Sequence, residues 1–209
     1  MALNETNHAL EFLLSEAPGS RSREEGTLNT GQDLVAGAVV GRILSAAGEK
    51  ISGTGDGTIG SVTLGSAAQT GVYVLRGIAE SGNAGTFSVT APDGTALPNL
   101  TVAAAYASSH INLTVADGAN DWDIGDLIYV TVTGGDYEAL DPAATTGEQT
   151  AIGILCYSTD ATSADQKATF IVRDAEVAAS RLIWPEGISD ADKALATSRL
   201  AAAGITLRS

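Results

Sequence analysis

The sequence predicts a mainly β protein with one short C-terminal helix, an α+β class in which a base domain carries an inserted small antiparallel sandwich or barrel. Of 209 residues, 44% are hydrophobic and only 17% charged, with 24 Gly and many Ala, Thr and Val, a balance that suits short strands joined by tight turns. Strand-like runs recur at short intervals through the middle of the chain, and one helical pattern closes it. The length admits one domain of ordinary size plus a second small one.

Residues 1–30 are polar and charged around a single apolar patch, Phe12, Leu13 and Leu14, followed by PGSRSREEG. So little apolar surface does not offset the entropy of ordering the segment, which predicts a flexible arm. The turn NTGQDL and the strand-like AGAVVGRIL then open a module that breaks off near Ser52 and Gly53, and its continuation, DYEALDPAATTGEQTAIGILCYS, begins only near Asp136. The base domain is therefore residues 31–52 plus 136–209, and residues 53–135 are an insertion into one of its loops, with Gly53, Gly55, Gly57, Gly134 and Gly135 as junctions.

Within the insertion, strands are predicted at 58–64, 71–79, 85–91, 100–106, 110–116 and 126–133, separated by turns such as Pro92-Asp93-Gly94 and Asp117-Gly118. The alternation of Phe87 with Val89, and of Ile111, Leu113 and Val115, gives each strand one core face. Beyond it, TAIGILCY (150–157) and ATFIVRDA (168–175) read as buried strands. A helix follows over Asp190–Ala203, with Ser189 as N-cap, acids in its first turn and Gly204 as its stop.

The net charge of −14 argues against nucleic acid as a direct partner, because nonspecific binding needs Lys and Arg to neutralise phosphates. No apolar stretch reaches membrane-spanning length, and the N-terminus lacks the basic start of a signal peptide, so production and assembly in a cytoplasm are expected. Cys156, the one cysteine, lies in the apolar run AIGILCYS and reads as a core thiol.

Asp117, Asp121, Asp123 and Asp126 form the sharpest site-like cluster, yet their spacing is not that of an EF-hand and a solvated turn with Trp122 plugging the sandwich explains them as well as calcium does. His8 and His110 have no evident nucleophile beside them, GTGDGTIG lacks the Lys of a phosphate loop, and no catalytic signature occurs. No enzyme, metal or cofactor is expected. Pro142 sets a turn. Ile183-Trp184-Pro185 sits between a strand and the helix as either a core plug or an interface anchor.

Four stretches in order, EFLLSEA with SREEGTL, AGAVVGRIL, LDPAATTGEQTAIGILCYSTDAT and VRDAEVAASRLIWPEGISDADKALATSRLAAAGITLRS, resemble the tailed-phage head decoration proteins, the family of phage lambda decoration protein D. They cover nearly everything outside the insertion, which resembles the extra β-modules of some such proteins. The resemblance implies a homotrimeric cement protein of the virion. It would bind the major capsid protein outside the expanded head at three-fold and quasi-three-fold positions and strengthen the shell against DNA pressure. Glu11, Phe12, Leu13, Leu14 and Ser15 would then contact the capsid by adding a strand to its sheet. Ile183, Trp184 and Pro185 would lie in the trimer interface or core. The competing class is an adhesion module whose insertion binds a host-surface carbohydrate or receptor, with Trp122, Tyr73 and Tyr106 as its aromatic material.

Overall fold

The computed structural model describes residues 7–209. It is mainly β with one short C-terminal helix. The strands in chain order are β1 (Leu13–Glu16), β2 (Arg23–Leu28), β3 (Asp33–Leu34), β4 (Val39–Ser52), β5 (Thr63–Leu64), β6 (Gly71–Ala79), β7 (Thr86–Thr90), β8 (Ala96–Thr101), β9 (Ile111–Asn112), β10 (Leu127–Ala139), β11 (Gly153–Leu155), β12 (Thr159–Asp160), β13 (Gln166–Ile171), β14 (Ala175–Ala178) and β15 (Ile205–Arg208). Helix α1 spans Asp190–Ala202. Two compact units divide them: the described residues up to Ile43 with Gly135–Ser209, and Leu44–Gly134. The division falls between Ile43 and Leu44 rather than at the glycines after Ser52, because β4 continues unbroken through SAAGEKIS.

The first unit is a five-stranded closed barrel in the order β2-β13-β11-β4-β10, shut by a parallel pairing of β10 with β2 at Tyr137 and Leu28. Closure leaves none of these five strands with an open edge. Gly26 makes it feasible: a Cβ there would stand 2.5 Å from Cε2 of Tyr137, whose ring stacks on Phe170 with centroids 3.9 Å apart. Beside the barrel lies a three-stranded sheet, β1-β14-β15, in which β15 runs parallel to β14. Its core holds Phe12, Val39, Leu140, Ile154, Ile171, Val177 and Leu200. In α1, Ala196 and Leu200 turn inward, and Ser189 caps the start by accepting the N–H of Asp192 at 3.1 Å.

The expected free arm is not what residues 7–30 form. Phe12 is fully buried, β1 pairs with β14 and β2 is a barrel strand. Ser22, also fully buried, accepts the N–H of Ala17 at 3.0 Å and donates to the carbonyl of Asp174 at 2.8 Å, tying the intervening turn down. The apolar surface that the segment lacks is supplied mainly by partners more than 100 residues away in sequence, among them Leu140, Ile154 and Val177 for Phe12 and Tyr137 and Phe170 for Leu28. Residues 1–6, the remainder of that predicted arm, lie outside the described residues.

The second unit is antiparallel, with β4, β10, β6, β7 and β8 in one sheet and β5 paired with β9. Tyr73, Leu75, Phe87, Val89, Trp122, Ile128 and Val130 fill its core. Three strands are placed differently from the sequence reading: of 110–116 only Ile111 and Asn112 form a strand, with Leu113 and Val115 making single bridges to Tyr106 and Ile59. The paired strand is Ala96–Thr101 rather than 100–106, since Ala103 takes a left-handed φ of 59° that ends the extended run. Between 58 and 64 only Thr63 and Leu64 form a strand, with Ile59 making a single bridge to Val115.

Candidate interaction site of the first unit

The residues singled out in sequence come together along β1 and β14. Asn7 Nδ2 donates to the carbonyls of Ala36 at 3.2 Å and Arg181 at 2.6 Å, while Leu10 adopts a positive φ of 61° and donates its N–H to Cys156 O at 3.1 Å. The chain then turns, and the N–H of Ala178 donates to Phe12 O at 2.8 Å. Glu11 pairs with Arg181 at 3.0 Å. Its carboxyl is held below the ordinary range by the donating N–H of His8, with partial burial opposing and Arg181 assisting. On β1, Ser15 Oγ donates to Glu176 at 3.0 Å, and the same carboxylate pairs with Arg208 of β15, the chief reason that its pKa falls.

A bulge between Leu13 and Ser15 decides which side chains face out. Leu13 is half-buried against the core, and Leu14, the extra residue, stands 56% exposed. Phe12, expected to contact a partner, is packed into this unit's own core and cannot do so. Ile183 is 40% exposed on a rigid backbone, its N–H donating to Gly37 O at 2.9 Å and its carbonyl accepting from Val39 at 3.0 Å. Trp184 lies half-buried against the core with Lys193 Nζ 5.2 Å from its ring centre, and its indole N–H is buried without an acceptor among the described residues. Pro185 is half-buried beside it. None of Asn7, Glu176, Arg181 and Arg208 was legible as a site residue: the Glu176–Arg208 pair depends on a parallel β14–β15 register between segments some 30 residues apart, and Arg181 meets Asn7 and Glu11 from across some 170 residues of chain.

This arrangement is suited to binding. β1 is an edge strand of its sheet, so it can accept a further strand, with the exposed Leu14 as an apolar contact. Burial pushes the Cys156 thiol up to about 11, which removes it as a nucleophile. Two of the four aspartates hold the local backbone: Asp126, 3% exposed, accepts the N–H groups of Thr54, Gly55 and Asp123, and Asp123 accepts the Thr54 hydroxyl at 2.7 Å. Among the described residues no group of three or more His, Cys, Asp or Glu is placed to hold a metal ion.

The sequence profile of bacteriophage lambda head decoration protein D matches residues 2–205. The chain belongs to that family. It is accordingly a structural protein that decorates a phage head, of a family that is not an enzyme family, and its place is the virion capsid. No helix of this decoration protein among the described residues is long and apolar enough to cross a membrane. No curated protein matches it significantly. Two crystal forms of FlgL from Xanthomonas campestris are similar at 14% and 13% identity, each with a TM-score of 0.33, over 47% of this chain and 33% and 34% of theirs. The decoration protein thus spans about a third of those chains.

Proposed function

We propose that the chain is a homotrimeric cement protein that binds the outside of the expanded head at three-fold and quasi-three-fold positions and holds the shell against DNA pressure. The observation that carries this reading is β1, an edge strand with Leu14 bulged outward and its backbone anchored by β14. A strand of the major capsid protein added to β1 gains main-chain hydrogen bonds, with Leu14 giving register. Because β1 is already ordered, little conformational entropy remains to be lost on binding. Ile183, exposed, and Pro185 serve the contact between subunits beside Trp184, which packs against the core, and the acidic surface keeps copies soluble and free of nucleic acid.

Leu44–Gly134 projects from the shell in this reading, since its exposed acids Glu49, Asp56, Glu80, Asp93 and Asp121 suit solvent. Binding to purified expanded and unexpanded heads tests the proposal. One trimer per three-fold position on expanded heads alone, with loss of binding in Leu14→Asp, is the expected result. Equal binding to both head forms, or undiminished binding of that variant, would overturn it.

A further inference from the structure

The second unit carries a partly exposed apolar face that its own core does not use. In β4, β10 and β6 the side chains alternate, and those turned away from the core include Ile51, Val72, Val74, Leu127 and Tyr129, of which Ile51 is 45% and Val72 37% exposed. β10 pairs with β6 so that Leu127 lies opposite Arg76 and Tyr129 opposite Val74. On the other side, the Ser45 and Thr133 hydroxyls lie 2.9 Å apart across the neighbouring strands β4 and β10, and an unbroken antiparallel pairing continued from that contact puts Glu49 beside Tyr129 and Ile51 beside Leu127. The face is thus a nearly uncharged tile with Glu49 on one flank and Arg76 on the other. Both are exposed, and neither has an ion-pair partner among the described residues.

We infer that this face binds the same face of a second copy, joining the insertions of two neighbouring trimers on one head. The inference rests on the proposed trimeric decoration. Charge complementarity selects the occupant: a two-fold axis across the midpoint between Glu49 and Arg76 sets each over its opposite in the other copy, giving two ion pairs around an apolar centre. A self-facing patch of this kind is isologous and requires a two-fold, so a three-fold trimer cannot satisfy it internally. It joins separate trimers. The tile, some half-dozen side chains, is small beside the roughly 20–30 residues per partner of a stable interface. With a net charge of −14 on every chain, free trimers stay apart, and the contact forms only where the lattice supplies the effective concentration.

The test uses full-length protein with Thr131→Cys, an exposed position on this face; the native Cys156 is buried and stays silent. Decorated heads and free protein at matched concentration are treated with a bifunctional maleimide. Covalent dimers on heads and none in free protein are expected, with most of the yield lost in Arg76→Glu and regained when Glu49→Arg is added. No dimers on fully decorated heads, equal dimers in free protein, or a yield indifferent to the charge exchange would each overturn the inference while leaving decoration intact. Failure of the wild type to bind heads would instead remove the reading beneath it.

Discussion

Asp126 Oδ2 accepts the backbone N–H of Gly55 at 2.9 Å, and the same carboxylate takes the N–H groups of Thr54 and Asp123. It stitches the chain leaving β4 to the turn entering β10. Burial alone would raise its pKa, but the N–H groups of Gly55, Asp123 and Thr54, with Lys50 nearby, outweigh it and hold the group below the ordinary value. A depressed carboxylate stabilises above its unfolded pKa of about 3.9 and loses that contribution as pH falls through the lower folded value. The insertion should therefore lose stability only below about pH 4 from this group. Asp126→Ala, leaving buried N–H groups unpaired, should cost about 2–4 kcal/mol. Trp122 fluorescence during urea unfolding, in a Trp184→Phe background, measures it; a wild-type midpoint would show that water replaces the carboxylate.

Phe12 and Leu14, two residues apart, should separate folding from binding. Phe12→Ala empties a fully buried site and should cost about 3–5 kcal/mol in unfolding free energy. Leu14→Asp changes an exposed bulge and should leave stability within about 0.5 kcal/mol while head binding falls. Stability measured by denaturant and binding measured by co-sedimentation with heads should thus move in opposite variants. If Leu14→Asp unfolds the protein, its exposure is not what the fold implies.

The same pair shows how far the sequence could be read. The strands AGAVVGRIL and GVYVLRGIA and the helix behind Ser189 were legible because their periodicity and capping are local. Phe12 was misplaced in a free arm because the residues that bury it, Val39, Leu140, Ile154 and Val177, come from distant stretches that no local pattern links to it. β15 escaped notice for a related reason: ITLR is four residues long and is held by a parallel partner, β14, rather than by a hairpin. For the site, apolar content marked Leu14 and Ile183, but a bulge and a backbone bridge decide their exposure, and neither leaves a sequence signal.

Cys156 gives a probe of opening in the first unit. It is fully buried, and its thiol, pushed up to about 11 chiefly by burial, is both inaccessible and protonated at neutral pH. Iodoacetamide at pH 8 should leave native protein unmodified for hours and label it promptly in denaturant, as followed by intact mass. Stoichiometric labelling of native protein would mean that the barrel opens readily.

Trp184 separates the value of a ring from the value of its N–H. The side chain is half-buried against the core, and its indole N–H is buried with no acceptor among the described residues, a defect that typically costs about 1–3 kcal/mol. Trp184→Phe removes that donor while keeping most of the apolar contact, at the loss of a weak attraction to Lys193, worth about 0.5–1 kcal/mol at an exposed site. The lost attraction and the smaller ring contact together offset most of the gain, so this variant should lie within about 1 kcal/mol of wild type, whereas Trp184→Ala should lose about 2–3 kcal/mol. Denaturant unfolding at several protein concentrations distinguishes the alternatives. A phenylalanine variant as damaged as the alanine one, with a midpoint that shifts with concentration, would show that the indole N–H finds its acceptor in a neighbouring subunit, and would move Trp184 from the core of one chain to the contact between chains.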